Sequence, residues 1–176
     1  MTPQRQEANG KATRPHFRPR TALIVLALLA GWGGVVAAGS LALAATTERV
    51  VTNRYSGLAI EGYDPLAYFV DGNPELGLPA FEAVQGGAVW RFRNEGNRDS
   101  FAAHPEIYGP QFGGYDPVDV ARGVTVAGNP LFWLISADRL YLFGREDTRD
   151  AFAANPASYL KEARLRWSAL EQQLAQ

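Results

Sequence analysis

The chain has 176 residues, 17 basic and 18 acidic side chains, a net charge of −1 and a hydrophobic share of 47%. It contains no cysteine and Met1 is its only methionine, which excludes disulfides, cysteine nucleophiles, thiolate metal sites and thioether copper ligation. Residues 48–176 alone hold 12 basic and 17 acidic side chains, net −5, and so lack the basic footprint that nucleic-acid binding requires.

Residues 1–20 form a basic tail, with Arg5, Lys11, Arg14, Arg18 and Arg20 against the single acid Glu7. Residues 21–47, "TALIVLALLAGWGGVVAAGSLALAATT", then run for 27 positions without a charge. A helix crossing a bilayer needs about 20 apolar residues, and basic residues before it hold that end in the cytoplasm. The run therefore reads as a transmembrane anchor that places the following residues on the extracytoplasmic side. A secretory signal is the competing reading, because Ala42-Leu43-Ala44 fits a small-residue cleavage pattern. Under either reading the rest of the chain is exported: tethered to the cytoplasmic membrane, or released into the periplasm. Residues 48–58 read as a linker, and residues 59–176 as one domain.

That domain repeats itself. "GYDP" occurs at Gly62–Pro65 and again at Gly114–Pro117. "VWRFRNEGNRDSFAAHPEIY" (Val89–Tyr108) aligns without gaps on "LYLFGREDTRDAFAANPASY" (Leu140–Tyr159), with nine of twenty positions identical. "GLPAF" at Gly77 and "GNPLF" at Gly128 lie at the same offset of 51. Two units, residues 62–108 and 114–159, are thus copies of one pattern, too few for a solenoid, and a single pseudo-symmetric core is expected.

Each unit predicts the same elements. Asp64-Pro65 and Asp116-Pro117 open short helical turns, since Asp is a favoured N-cap and Pro suits the first helical position. Gly72 and Gly123 are placed to close them. A hairpin follows, turning at Gly86-Gly87 in the first unit and at Ser136–Asp138 in the second. "LFWLI" and "RLYLF" are apolar on both faces, so the second hairpin is expected to be the more buried. Helices are predicted over about Glu95–Ala103 and Asp147–Ala154, stopping before His104-Pro105 and Asn155-Pro156 because a residue before proline disfavours helix. Pro156 starts a C-terminal amphipathic helix over residues 156–176. Leu160, Ala163, Trp167, Leu170 and Leu174 form one stripe on it. The fold class is α+β.

The blocks "EGYDPLAYF", "WRFRNEGNRDSFAAHPEIYGPQFGGYD" and "LYLF…RDAFAANPASYL", with closing Ala163 and Trp167, resemble the exported bacterial YHS-domain proteins. The resemblance covers about residues 59–167. It implies a small α+β domain related to the treble-clef-like TRASH and YHS modules, which are associated with metal handling. Members of the family often carry cysteine after Gly-Gly-Tyr; this chain has Asp116 there.

The candidate site residues follow from the repeat. Tyr63, Asp64, Tyr115 and Asp116 are expected to line a ligand pocket if the two copies face one another. The alternatives are caps for the aspartates and packed rings for the tyrosines. Asp64, Asp116 and His104, the sole histidine of residues 48–176, form the only candidate metal set; His104 otherwise caps a helix end. Arg98-Asp99 and Arg149-Asp150 read as salt bridges or as an anion seat. No serine sits in a nucleophile-elbow context, so a hydrolase is not expected. The sequence thus predicts a membrane-tethered, exported, non-catalytic YHS-like domain binding a small ligand, a metal ion or an envelope protein. The cofactor is unassigned, with a metal ion as the one candidate. The alternatives are a redox or metal-accessory factor or enzyme using Asp64, Asp116 and His104, and a purely structural interaction module.

Overall fold

The structure, a computed structural model, describes residues 48–174. The expected tail over residues 1–20 and anchor over residues 21–47 lie outside the described residues. Among the described residues, no helix is long and apolar enough to cross a membrane.

The first copy runs from α1 (Ala67–Val70) through β1 (Leu78–Gln85) and β2 (Ala88–Phe92) to α2 (Glu95–Ala103) and α3 (Pro105–Tyr108). The second runs from α4 (Pro117–Arg122) through β3 (Asn129–Ser136) and β4 (Arg139–Phe143) to α5 (Glu146–Ala154) and α6 (Pro156–Leu174). The mixture of helices with two small antiparallel sheets is α+β. The hairpins share one register. Leu78 pairs with Phe92 and Asn129 with Phe143, and each is followed by an irregularity before pairing resumes at Glu82–Arg91 and Trp133–Leu142. Gly86 and Gly87 turn the first hairpin with φ of 60° and 80°, and Ala137 and Asp138 turn the second with 48° and 54°. Two left-handed residues in a row match the right-handed twist of the strands.

Strand periodicity explains how the copies join. Alternate residues of β4 point to opposite faces. Leu140 and Leu142 enter one buried cluster with Ala59, Tyr68, Trp90 and Phe92 of the first copy. Tyr141 and Phe143 enter another with Val118 and Phe152 of the second. β4 is therefore buried on both sides, as its unbroken apolar run requires, whereas β2 buries only Ala88, Trp90 and Phe92 and leaves Arg91 half-buried. In place of one core there are three clusters, the third formed by Tyr115, Val120 and Ala163 under α6. Removing one of the central phenyl rings is expected to cost about 3–5 kcal/mol. The α6 stripe packs as its spacing predicts: Ala163 is fully buried, Leu160 packs on the second cluster, and Trp167, Leu170 and Leu174 pack on the third.

Residues 48–58, expected to be a linker, are laced onto the domain. The Val51 amide donates to the Gly113 carbonyl at 2.7 Å, and the Ile60 amide to the Val51 carbonyl at 3.2 Å. Thr52 bridges to Ala59, and Leu58 to Val89.

Candidate functional site

Asp64 and Asp116 are both fully buried. Asp64 Oδ1 accepts from the Leu66 amide at 2.9 Å, while Oδ2 accepts from the Arg93 amide at 2.8 Å and from Asn97 Nδ2 at 2.6 Å. Asp116 Oδ1 accepts from the Val118 amide at 2.9 Å, while Oδ2 accepts from the Gly144 amide at 2.9 Å and from the Thr148 hydroxyl. Arg93 and Gly144 each follow the second strand of their hairpin, and Asn97 and Thr148 lie in the first turns of α2 and α5. Each aspartate is thus a staple that ties a short helix, the hairpin exit and the next helix together. The backbone repeats the theme: the Asp64 amide donates to the Glu75 carbonyl and the Asp116 amide to the Val126 carbonyl.

No donor is shared between the two carboxylates; every one lies in the aspartate's own copy. His104 stands apart from both. Its imidazole is exposed, 3.6 Å from Glu106, and its backbone ends α2 by donating to the Ser100 and Phe101 carbonyls. Among the described residues no three carboxylate or imidazole side chains come together as metal ligands, so the expected set of Asp64, Asp116 and His104 does not assemble.

Tyr63 and Tyr115 begin the same way, each bridging to the strand-entry segment of its copy, at Leu76 and Ala127. Their rings part. Tyr63 packs half-buried against the first cluster, while Tyr115 lies 6.1 Å from the Trp167 ring and donates to the Glu48 carbonyl at 2.8 Å. Burial raises the Tyr115 hydroxyl pKa, and Glu48 adds to the rise. Tyr68 crosses between the copies, donating to the Pro130 carbonyl at 3.0 Å and meeting Trp133 edge-on. Burial holds its hydroxyl pKa far above the ordinary tyrosine value, with smaller contributions from Tyr63 and Asp64.

Arg98 and Arg149 are each held by two carboxylates, Glu95 with Asp99 and Glu146 with Asp150, at 2.8–3.0 Å. Their charge is matched internally, so the arrangement is the ion-pair one of the two expected. The "GPQFGGYD" connection contains left-handed residues at Phe112 and Gly113, matched in the first copy by Ile60 and Glu61. A β-branched residue at φ 42°, as at Ile60, is strained. At Gly113 a Cβ would lie 1.8 Å from the Arg49 carbonyl oxygen, so glycine is required there by the crossing chain.

Two concave features lie away from the aspartates. A cavity of about 380 Å3 is lined by Glu48, Arg49, Val50, Thr52, Gly57 and the hairpin turn Gly86–Ala88. A shallow apolar groove runs along α6 past Ala157, Leu160, Lys161, Arg164 and Leu165. The sequence reading passed over the residues that complete the staples, Asn97 and Thr148. The repeat alignment held the signal, because it pairs two side chains able to donate at one position of both helices. It also passed over the cavity, whose walls come from segments about 30 residues apart. Compared with protein-family models, curated proteins and solved structures, the chain gives no match.

Proposed function

We propose that this chain is a membrane-tethered, exported binding module of YHS-like type. In this reading it carries out no reaction of its own and holds a small polar ligand beside its tether. The observation that supports this is the use made of Asp64 and Asp116. Both are fully buried, and both oxygens of each are engaged by donors of the surrounding copy. A carboxylate that binds a cation or moves a proton needs an oxygen directed at the ligand or substrate. These two spend their oxygens on the fold.

The ligand seat in this reading is the cavity at Glu48, Arg49 and Gly86–Ala88. Its volume is at the small end of the range for ligand sites, and its lining mixes both charges with the side-chain-free backbone of Gly86 and Gly87. Residues 21–47 supply the tether, and the basic tail keeps residue 1 in the cytoplasm.

Native mass spectrometry of the full chain purified in detergent tests the reading. A small polar molecule is expected to travel with the wild type and to be lost from Arg49→Ala. Asp64→Asn and Asp116→Asn are expected to lower the melting temperature while the folded fraction keeps the molecule. If either variant releases the ligand at unchanged stability, the carboxylates belong to the site and the reading fails. If the wild type carries no molecule, the cavity is not a ligand seat.

A further inference from the structure

The outer face of α6 is a second surface with chemistry of its own. Ala157, Lys161, Arg164 and Leu165 recur at helical spacing beside the inward stripe, and Leu165 is 69% exposed. With half-buried Leu160 they line a groove that contains two cations and no acid.

Of the twelve lysines and arginines among the described residues, half are paired with a carboxylate and half are not. Among the described residues Arg91, Arg93, Arg98, Arg122, Arg145 and Arg149 all sit within 4 Å of a carboxylate. Lys161 and Arg164 have no described carboxylate in that range, and neither do Arg49, Arg54, Arg139 and Arg166; what sets Lys161 and Arg164 apart is that both flank one apolar groove. In a domain of net charge −5, an apolar groove flanked by unmatched positive charge is complementary to an anionic amphiphilic surface.

We propose that this face of α6 seats the domain on the anionic headgroup surface of the membrane that holds residues 21–47. Leu165 would enter the headgroup boundary, with Lys161 and Arg164 on lipid phosphates. The proposal rests on the tether reading. One leucine and two cations bind a free surface weakly. A tether raises the local concentration enough for such a contact to persist.

The absence of cysteine permits a direct test, because Leu165→Cys carries a single environment-sensitive dye. The full chain is reconstituted in nanodiscs of phosphatidylcholine with and without phosphatidylglycerol, and compared with the chain in detergent. The expected result is a blue-shifted, quencher-protected dye only with the anionic lipid. High salt, or the pair Lys161→Glu and Arg164→Glu, is expected to abolish the shift. A dye on Val84→Cys, exposed on β1, is expected to report no change. Identical emission in all three media overturns the proposal. So does equal protection in all three, which means that protein, either a second copy or another segment of the chain, covers the face. Alkaline extraction of native membranes judges the tether separately. If the chain is released, the tether reading fails, and emission on mixing with preformed anionic vesicles decides the α6 face by the same criteria.

Discussion

The two copies share one wiring diagram and have different neighbours. In both, an aspartate joins a short helix, a hairpin exit and a following helix through equivalent hydrogen bonds. The first copy lies at the edge: Val70 of α1 and Leu78 and Val84 of β1 are largely exposed. The second lies at the centre, with β4 between two clusters and α4 under α6. The local framework survives duplication because its bonds stay within one unit. What each face buries diverged, because packing depends on what lies outside the unit.

The largest test of that shared framework is removal of the staples. Asp64→Ala and Asp116→Ala each leave buried donors without an acceptor, and Asp116→Ala also takes the N-cap of α4. Each is expected to lose about 3–5 kcal/mol in urea unfolding, to similar extents. A neutral effect at either position would show that the copies are not stapled alike.

Next is the left-handed position that the copies occupy differently. Gly113 lies under the Arg49 carbonyl, while its counterpart Glu61 keeps a side chain that accepts from Asn53 Nδ2 at 2.6 Å. Gly113→Ala is expected to cost about 2 kcal/mol or more in strain and displaced chain. Tryptic cleavage after Arg49 and Arg54 should accelerate accordingly. Glu61→Ala should leave the rate of cleavage after Arg49 near that of the wild type. Equal rates for both variants would remove the crossing chain as the reason for glycine.

Tyr68 probes the seam between copies. Its folded-state pKa is raised by burial above the ordinary value of about 10. Its neutral form therefore stabilises the fold fully below that ordinary value. Above about pH 10 the unfolded chain gives up this proton more readily, and the stability falls as pH rises towards the folded-state pKa. Tyr68→Phe is expected to cost about 1 kcal/mol at neutral pH through the lost bond to the Pro130 carbonyl. It should also flatten the alkaline decline seen in denaturant titrations from pH 8 to pH 11. An unchanged alkaline slope would assign the decline to other groups.

The smallest effects belong to the surface arginine clusters around Arg98 and Arg149. Arg98→Ala and Arg149→Ala are each expected to leave the urea unfolding midpoint nearly unchanged, and equally so. A larger loss for one alone would show an ion pair doing more in one copy than in the other.

The aspartates illustrate how far sequence reading reached. The capping of α4 by Asp116 was legible in Asp-Pro, because its bond to Val118 spans two residues; the same two-residue bond from Asp64 to Leu66 forms a turn before α1, which starts at Ala67 with no side-chain cap. Their bonds to Arg93 and Gly144 span 29 and 28 residues and have no local signature. Residues 48–58 looked like a linker because backbone bonds to Gly113 and Val89 leave no mark on composition. The left-handed turn at Ile60 and Glu61 was hidden by side chains that disfavour it, while Gly113-Gly114 hinted at its twin.

Taken alone, the sequence determined the duplication, both hairpins, the helices after them and the α6 stripe. Each rests on periodicity, a cap or a turn residue, and so on interactions within a few positions. Tertiary structure alone decided which copy became the centre. Pro105 and Pro156 start equivalent helices, but Gly109-Pro110 halts α3 after one turn while α6 runs on to cover α4. Only packing brings Leu140 and Leu142 under the first copy, and only packing turns two matched aspartates into separate staples. Burial and saturation of polar atoms are properties of neighbours distant in the chain, and a short motif cannot encode its neighbours.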